Sequence, residues 1–305
     1  MPAAAPSYPL GPYRFINREF MVVTYETDPV ALRAAVPEPL VPNADNLVMY
    51  EWIRMPDSSG FGDYTESGIV IPCTFDGEPV NYTAQMYLDD EPPISAGREI
   101  WGFPKKYALP KLVVNSDTLT GTLHYAGEVV AVGTMTYKWR ESPGGCAAQA
   151  TAMAKTSCNL KIIPDVDGSP KICQLVAYNL ENITVKGSWV GNARLHLTPH
   201  VNAPVADLPI VRIVGGKHFI SDLSLPHGRI LFDYIKDAAG TVTTYQVSSA
   251  SDVDKSGEST LASLTVGDAV TFSATNGTID KLHTGTESQN HPGTPDPTGS
   301  ATPTA

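Results

Sequence analysis

The sequence predicts a mainly β fold (α+β), in which antiparallel, barrel-like sheets carry a few short peripheral helices. Two observations lead to this prediction. The chain contains 26 prolines and 25 glycines, and long amphipathic helical patterns are scarce. Short runs of strand-like composition recur and are separated by turn residues such as Asp76-Gly77 and Asp167-Gly168. The predicted strands lie at residues 20–25, 47–52, 68–74, 82–88, 111–114, 121–125, 129–137 and 183–189.

Two segments have helical rather than strand-like composition. Residues 31–36 form a short predicted helix, which ends before Pro37 and Pro39. Residues 146–158 are rich in alanine, the residue with the highest helix propensity, and predict a second helix.

Composition divides the chain of 305 residues into one large domain and an extension. Residues 237–305 contain eight acidic and two basic residues, so they carry −6 of the total net charge of −11. We predict a domain over residues 1–236 and an acidic, Thr/Ser-rich extension over residues 237–283. Weak alternation over residues 259–274 predicts a small hairpin, and the composition of residues 284–305 predicts a disordered tail.

Charge and cysteine usage exclude several classes of protein. The acidic balance, with scattered Lys and Arg, argues against nucleic acid or an anionic membrane as a partner. The N-terminus lacks the basic start and apolar run of a signal peptide, and no stretch approaches the length of a membrane span. We therefore expect a cytoplasmic protein. Its cysteines show no Cys-x-x-Cys spacing, so we expect free thiols at Cys73, Cys146, Cys158 and Cys173.

Two other motifs are weak. Pro199 lies between His196 and His200 and breaks the helix that a zinc-binding pair at this spacing needs, so no metal site is expected. The run Gly215-Gly216-Lys217-His218 lacks the upstream glycine and the following Ser or Thr of a phosphate-binding loop.

The most informative segment is residues 97–112, where Lys105 and Lys106 lie in a run of aromatic and aliphatic residues. A lysine becomes nucleophilic when desolvation or a neighbouring cation lowers its pKa. Useful reactivity near neutral pH needs a decrease of roughly 4 units from about 10.4, or on the order of 5–6 kcal/mol. A second ammonium ~7 Å away supplies only about 2.4 kcal/mol at an effective dielectric constant of ~20. Desolvation must therefore contribute the larger share.

Charged residues in apolar or strand-like surroundings are further candidates. Arg18 follows Gly11-Pro12-Tyr13-Arg14-Phe15 closely, and Glu66 directly precedes a predicted strand. Glu51 lies in the apolar run Val48-Met49-Tyr50-Glu51-Trp52. Such a glutamate is either on the solvent face or buried with a partner. From composition alone, the solvent face is favoured for Glu51, and Glu66 is evenly balanced.

Several blocks together resemble the acetoacetate decarboxylase family. They include Gly-Pro-Tyr-Arg-Phe-Ile-Asn-Arg-Glu at 11–19, Ser-Gly-Phe-Gly-Asp-Tyr-Thr-Glu-Ser-Gly at 59–68, Gly-Arg-Glu-Ile at 97–100, Phe-Pro-Lys-Lys at 103–106 and Leu-Lys-Ile-Ile-Pro-Asp-Val-Asp-Gly-Ser-Pro at 160–170. The resemblance runs in order from about residue 8 to residue 236. The extension from residue 237 has no recognised counterpart.

The resemblance implies a catalytic domain that converts acetoacetate to acetone and CO2 through a lysine Schiff base. This family is itself the usual example of lysine activation by desolvation or a nearby cation. Lys105 matches the Schiff-base lysine, and Lys106 matches a neighbour that assists by lowering its pKa. Arg18, Glu51 and Glu66 match the other polar catalytic residues, which moves Glu51 into the pocket. The residues expected to line the substrate pocket are Phe15, Met86, Trp101 and Phe103.

The resemblance also implies a barrel-like β fold, a homo-oligomer, and a small β-keto acid as substrate. We expect no metal or organic cofactor, because the imine itself accepts the electrons. Two alternatives remain open. One is another Schiff-base enzyme on the same scaffold, such as an aldolase-dehydratase or cyclase acting on a keto acid. The other is a non-catalytic β-barrel that binds a small molecule.

Overall fold

The computed structural model describes residues 3–236 of the chain and, beyond them, the backbone of four short strands. The strands of the first part are β1 (Tyr13–Glu26), β2 (Val41–Pro42), β3 (Leu47–Ser58), β4 (Gly62–Phe75), β5 (Glu78–Leu88), β6 (Lys105–Tyr107), β7 (Leu109–Asn115), β8 (Thr118–Tyr125), β9 (Glu128–Thr136), β10 (Arg140–Glu141), β11 (Ser157–Pro164), β12 (Pro170–Tyr178), β13 (Glu181–Gly191), β14 (Ala193–Leu197), β15 (Arg212–Leu225) and β16 (Arg229–Asp233). The helices are α1 (Pro29–Ala35), α2 (Glu91–Ala96) and α3 (Gly145–Met153), with a π-helical turn at Gly97–Trp101 and a 3-10 turn at Val205–Asp207.

Two sheets form the body of the protein. The larger has the order β10-β13-β15-β1-β3-β4-β5-β11-β12-β16, with β2 added to β4 and β6 added to β5. The smaller has the order β14-β9-β8-β7. The predicted mainly β class is confirmed, and every predicted strand overlaps a strand of the structure. Within residues 3–236 the two sheets are open and twisted and do not close into a barrel.

The extension contributes the strands β17 (Tyr245–Val247), β18 (Ala262–Leu264), β19 (Phe272–Thr275) and β20 (Thr278–Lys281). β17 pairs with β18 and β19 pairs with β20, both antiparallel. The rest of the predicted hairpin at 259–274 and the predicted tail at 284–305 lie outside the described residues. The division into domain, extension and tail therefore stays a prediction.

Both faces of the large sheet are covered. Alternate side chains of its central strands point to opposite faces, and each face buries an apolar cluster. On one face, Met21 and Trp52 belong to a core shared with the smaller sheet. The Trp52 indole lies against Gly121 and Gly133, where an added β-carbon would come within 2.3 and 2.4 Å of the ring. On the other face, Phe20 and its neighbours form a second apolar cluster. The candidate site lies on this second face.

The helix predicted at residues 31–36 is confirmed as α1. Asp28 sets its start: Oδ1 accepts hydrogen bonds from the backbone nitrogens of Val30 and Ala31, both at 2.9 Å. None of the helices in the described part of the chain is long and apolar enough to cross a membrane.

The helix predicted at residues 146–158 is wrong beyond Met153, where α3 ends. The side chain of Asn179 donates a hydrogen bond to the carbonyl of Ala154 at 3.1 Å. In a longer helix this carbonyl would accept a backbone hydrogen bond from the next turn. Ser157 and Cys158 then pair in parallel with Asn81 and Tyr82 of β5. A non-local strand partner thus overrides the local alanine-rich composition.

Candidate active site

A cavity of about 240 Å³ lies on the second face of the large sheet and is bounded on another side by α3. The register of the sheet brings distant residues into one row across its strands. Glu51 lies opposite Gly68, Gly68 opposite Met86, and Met86 opposite Lys105. The lysine and the glutamate therefore face the same space, although 54 positions separate them in the sequence.

Glu66 connects two of the cations that line the cavity, Lys105 and Arg18. Lys105 Nζ donates a hydrogen bond to Glu66 Oε1 at 2.6 Å, and Arg18 Nη2 lies 3.7 Å from Glu66 Oε2. Lys105 and Glu66 are only 7% and 2% exposed. Because buried charges are tolerated when they are paired, Glu66 serves as the common counter-ion of Lys105 and Arg18.

A bulge in β1 directs Arg18 into the site. Pairing with β15 shifts by one residue between Phe15 and Arg18, and Asn17 in the bulge has φ of 55°. The Asn17 backbone nitrogen donates to Asp222 Oδ1 at 2.8 Å, which fixes the bulge. Arg18 Cζ then lies 4.8 Å from the ring centroid of Phe20 and 5.2 Å from that of Phe15. The guanidinium is thus held between aromatic faces and the Glu66 carboxylate.

The π-helical turn at Gly97–Trp101 forms a close support for Lys105. A β-carbon on Gly97 would lie 2.6 Å from Cδ and 2.9 Å from Cε of Lys105, closer than real side chains approach. Gly97 has φ of −60°, which any residue adopts, so the backbone conformation does not require glycine there. Arg98 Nη1 donates to the Lys105 carbonyl at 3.1 Å and holds the lysine backbone. Single π turns are frequent at functional sites.

Burial lowers the pKa of Lys105, and this desolvation is the largest influence on it. The Glu66 carboxylate acts in the opposite direction, and the Arg18 guanidinium lowers the pKa further. The sequence likewise predicts that desolvation contributes most of the decrease in the pKa of Lys105. The neighbouring cation in the structure, however, is Arg18.

Glu51 faces the cavity, as the resemblance predicts, and not bulk solvent. Burial raises its pKa to about 7, Arg18 lowers it, and Glu66 raises it. Within residues 3–236, Glu51 makes no hydrogen bond or ion pair with another residue. A carboxyl group of this kind can both hold and release a proton near neutral pH.

Lys106 points away from the cavity, because successive residues of β6 face opposite sides. Its Nζ donates to the carbonyl of Asn202 and lies 5.3 Å from the ring centroid of Tyr125. Burial and the nearby Arg98 lower the pKa of Lys106 itself. The structure does not bring Lys106 to the cavity wall, and assistance from it to Lys105 stays a prediction.

The apolar wall contains three of the four predicted pocket residues, namely Phe15, Met86 and Phe103. The fourth, Trp101, is not among the residues that line the cavity, and its role in the substrate pocket stays a prediction. It lies behind Phe103, with ring centroids 6.4 Å apart, and its Nε1 donates to the carbonyl of Pro226 at 2.9 Å. The indole is 1% exposed and supports the wall without forming it.

Some residues of the site do not emerge from the sequence reasoning. Gly97 lies in the Gly-Arg-Glu-Ile block, which signals it only through the resemblance. Tyr64 lies with its ring centroid 6.0 Å from Lys105 Nζ. Lys217 and Gln149 also line the cavity. In the sequence, the run around Lys217 resembles only an incomplete phosphate-binding loop, which gives no signal for a place in this cavity.

A buried lysine shares a carboxylate with an arginine in a largely apolar cavity of a mainly β fold, an arrangement typical of the active site of an enzyme. The chain belongs to the acetoacetate decarboxylase family, because the family model described as acetoacetate decarboxylase (ADC) matches residues 1–235. It is 57% identical over 235 residues to the acetoacetate decarboxylase of Bordetella avium (strain 197N), covering 77% of this chain and 94% of that protein. It is 55% identical over 235 residues to that of Paraburkholderia xenovorans (strain LB400), covering 77% and 92%.

Solved structures agree with this assignment. The crystal structure of acetoacetate decarboxylase from Legionella pneumophila matches with a TM-score of 0.74 and 48% identity over 77% of this chain and 92% of that one. A structure of the enduracididine biosynthesis enzyme MppR, complexed with the condensation product of pyruvate and imidazole 4-carboxaldehyde, matches with a TM-score of 0.65. It is 20% identical and covers 75% of this chain and 92% of that one, so it shows a shared fold alone.

Proposed function

We propose that the chain decarboxylates acetoacetate to acetone and CO2 through a Schiff base on Lys105. One observation carries the proposal: the Lys105 amine lies in a largely apolar cavity, where burial lowers its pKa, and donates to Glu66 at 2.6 Å. Identity above 50% to proteins that are acetoacetate decarboxylases supports the choice of substrate.

The reaction begins from the neutral amine of Lys105, which releases its proton to solvent because burial lowers its pKa, while Glu66 Oε1 still accepts a hydrogen bond from Nζ. The neutral amine attacks the ketone carbon of the substrate. Loss of water gives a protonated imine, two bonds from the carboxylate. The electron pair of the breaking C–C bond forms the C=C bond of an enamine, the π pair of the C=N⁺ bond moves to nitrogen, and CO2 leaves. Protonation at carbon and hydrolysis release acetone and regenerate Lys105.

Glu51 and Glu66 have different roles in the reaction. Glu51, with a pKa of about 7, is the proton donor to the enamine carbon, because it is partly protonated at neutral pH. Glu66 keeps its charge next to Arg18 and orients Lys105. The aromatic wall excludes water, and a dry site favours the step in which a carboxylate becomes neutral CO2.

Acetone release tests the proposal directly. Wild-type protein and Lys105→Ala are incubated with acetoacetate, and acetone and CO2 are measured against the spontaneous rate. We expect catalysed release of both products in the wild type only. Consumption of acetoacetate with an added aldehyde, without acetone, would instead indicate an aldolase-dehydratase or cyclase. Binding without any turnover would indicate a non-catalytic binding protein.

We also propose a cytoplasmic location and a homo-oligomeric assembly. The free thiols Cys73, Cys146 and Cys158 are consistent with a reducing compartment. Light scattering of the purified full chain measures the assembly. A monomeric mass would contradict the oligomer.

A further inference from the structure

A lysine outside the assigned catalytic set also lines the cavity. The charged residues on the cavity wall, within the described part of the chain, are Arg18, Lys105, Lys217, Glu51 and Glu66. Two of the three cations share Glu66. Lys217 makes no ion pair or hydrogen bond with another residue of the range 3–236. Its side chain is partly buried, and burial lowers its pKa from the usual range.

The register of the sheet places Lys217 in the same row as Glu51. Lys217 of β15 lies opposite Val22 of β1, and Val22 lies opposite Glu51 of β3. Two strand spacings of about 4.8 Å put the Cα atoms of Lys217 and Glu51 roughly 10 Å apart, with both side chains on the cavity face. Lys217 thus lies on the β15 side of the cavity, and Lys105 comes from β6 at the other end of the row.

The charges of the reactive state leave one cation without a counter-ion. When Lys105 is neutral and Glu51 is protonated, Arg18 and Glu66 balance each other and Lys217 retains its positive charge. The substrate class of the proposed function, on which this inference rests, is a monoanion. The chain has a net charge of −11, which opposes the approach of an anion, and a cation at the cavity offsets this repulsion locally.

We propose that Lys217 binds the carboxylate of the keto acid substrate as it enters the cavity and so helps to select an anionic substrate. The ammonium is on a flexible stem at the partly exposed side of the cavity. It holds the carboxylate in the substrate complex. The carboxylate loses its charge during C–C cleavage, so this contact is weaker in the transition state than in the bound substrate. Lys217 therefore affects substrate binding more than the chemical step.

The test compares an anionic and a neutral substrate analogue in Lys217→Met, which keeps the length of the side chain and removes its charge. Acetoacetate is the anionic compound. Pentane-2,4-dione is a neutral β-diketone that can form the corresponding imine, with an acetyl group in place of the carboxylate. We expect the KM for acetoacetate to rise about tenfold while kcat stays level or rises, because the lost contact is stronger in the bound substrate than in the transition state. The pentane-2,4-dione concentration for half-maximal imine formation should stay within twofold. Lys217→Arg retains the charge and should stay within threefold of the wild-type KM.

The matched control is Lys171→Met, which removes an exposed lysine that pairs with Asp165 at 2.8 Å, outside the cavity. It should leave both compounds unaffected. An unchanged KM for acetoacetate in Lys217→Met, or equal weakening for both compounds, would overturn the proposal. Failure of the proposed function is a separate result, since it appears as absence of acetone release in the wild type. If turnover is absent, dissociation constants for acetoacetate and pentane-2,4-dione replace KM, and only a selective loss for acetoacetate supports the role of Lys217.

Discussion

Lys105 and Glu66 form a buried hydrogen-bonded ion pair of 2.6 Å, although they come from strands 39 positions apart. The contact has two opposing effects on the lysine. Glu66 stabilises the ammonium, whereas burial and Arg18 favour the neutral amine. The reactivity of Lys105 therefore depends on a balance that single substitutions can shift in either direction.

Glu66→Gln and Arg18→Met should move the pKa of Lys105 in opposite directions. Loss of the carboxylate removes a group that raises the pKa, and loss of the guanidinium removes a group that lowers it. We expect the pH midpoint for imine formation to fall by roughly one unit in Glu66→Gln and to rise by roughly one unit in Arg18→Met. The measurement is borohydride trapping at a series of pH values. Shifts in the same direction would refute this balance.

Lys106→Met is the matched control for these two variants. Its ammonium contacts the carbonyl of Asn202 and not the cavity, so the midpoint should move less than in Arg18→Met. A shift as large as that of Arg18→Met would show that Lys106 contributes as much as Arg18 to lowering the pKa of Lys105.

Glu51→Gln should change the pH dependence of stability. The pKa of Glu51 is raised to about 7 in the folded protein, so this state binds more protons than the unfolded chain between about 4.5 and 7. The wild type thus loses stability as the pH rises through this range, and the variant does not. Above pH 7 we expect Glu51→Gln to be more stable, on the order of 2–3 kcal/mol. Urea unfolding at pH 5, 6 and 7.5 measures this difference.

The control for the Glu51 experiment is Glu128→Gln, which changes an exposed glutamate at the start of β9. The free energy of unfolding of this variant should depend on pH as that of the wild type does. If the free energies of unfolding of Glu51→Gln and wild type stay parallel over this pH range, Glu51 does not bind the extra proton.

Gly97→Ala should reduce activity without unfolding the protein. The new methyl group would collide with Cδ and Cε of Lys105, while alanine suits the backbone conformation at position 97. A displacement of about 1 Å costs on the order of a hundredfold in kcat. Steady-state kinetics, the pH midpoint of trapping and the melting temperature are measured together. A purely structural role would lower the melting temperature and leave the midpoint unchanged.

Gly215→Ala provides the matched control for Gly97→Ala, since a β-carbon there meets no atom within 4 Å. It should keep wild-type activity. Full activity in Gly97→Ala would contradict this prediction, because it would show that Lys105 can be displaced without a loss of kcat.

Deletion of residues 239–305 should leave activity intact. The relatives match over 235 residues, which cover 92–94% of their own length, so this family needs little chain beyond the matched domain. The kcat and KM of the truncated protein are compared with those of the full chain. Loss of soluble assembly or of turnover would assign the extension a necessary role.

The sequence predicts the fold class and eight of the sixteen strands in residues 3–236, because alternation and turn residues are local signals. The strands that it does not single out include β11, β12 and β15. It also predicts that desolvation dominates at Lys105, from the apolar neighbours alone. The burial of Glu51 is harder to predict, because alternation separates the two faces of a strand but does not show that both faces of the sheet are covered. The pairing of Arg18, Glu66 and Lys105 depends on the register of β1, β4 and β6, which local patterns do not specify. Gly97 is invisible to such patterns, since its importance comes from a side chain eight residues away.

Reduction of the imine by borohydride identifies the lysine that forms it. The full chain is incubated with acetoacetate and sodium borohydride, digested, and mapped by mass spectrometry, with Lys105→Ala and Lys106→Met treated in parallel. We predict an isopropyl adduct on Lys105, present in Lys106→Met and absent in Lys105→Ala. Absence of an adduct on Lys105 while acetone is being released, or an adduct on Lys106 instead, would contradict the assignment of Lys105 as the Schiff-base lysine.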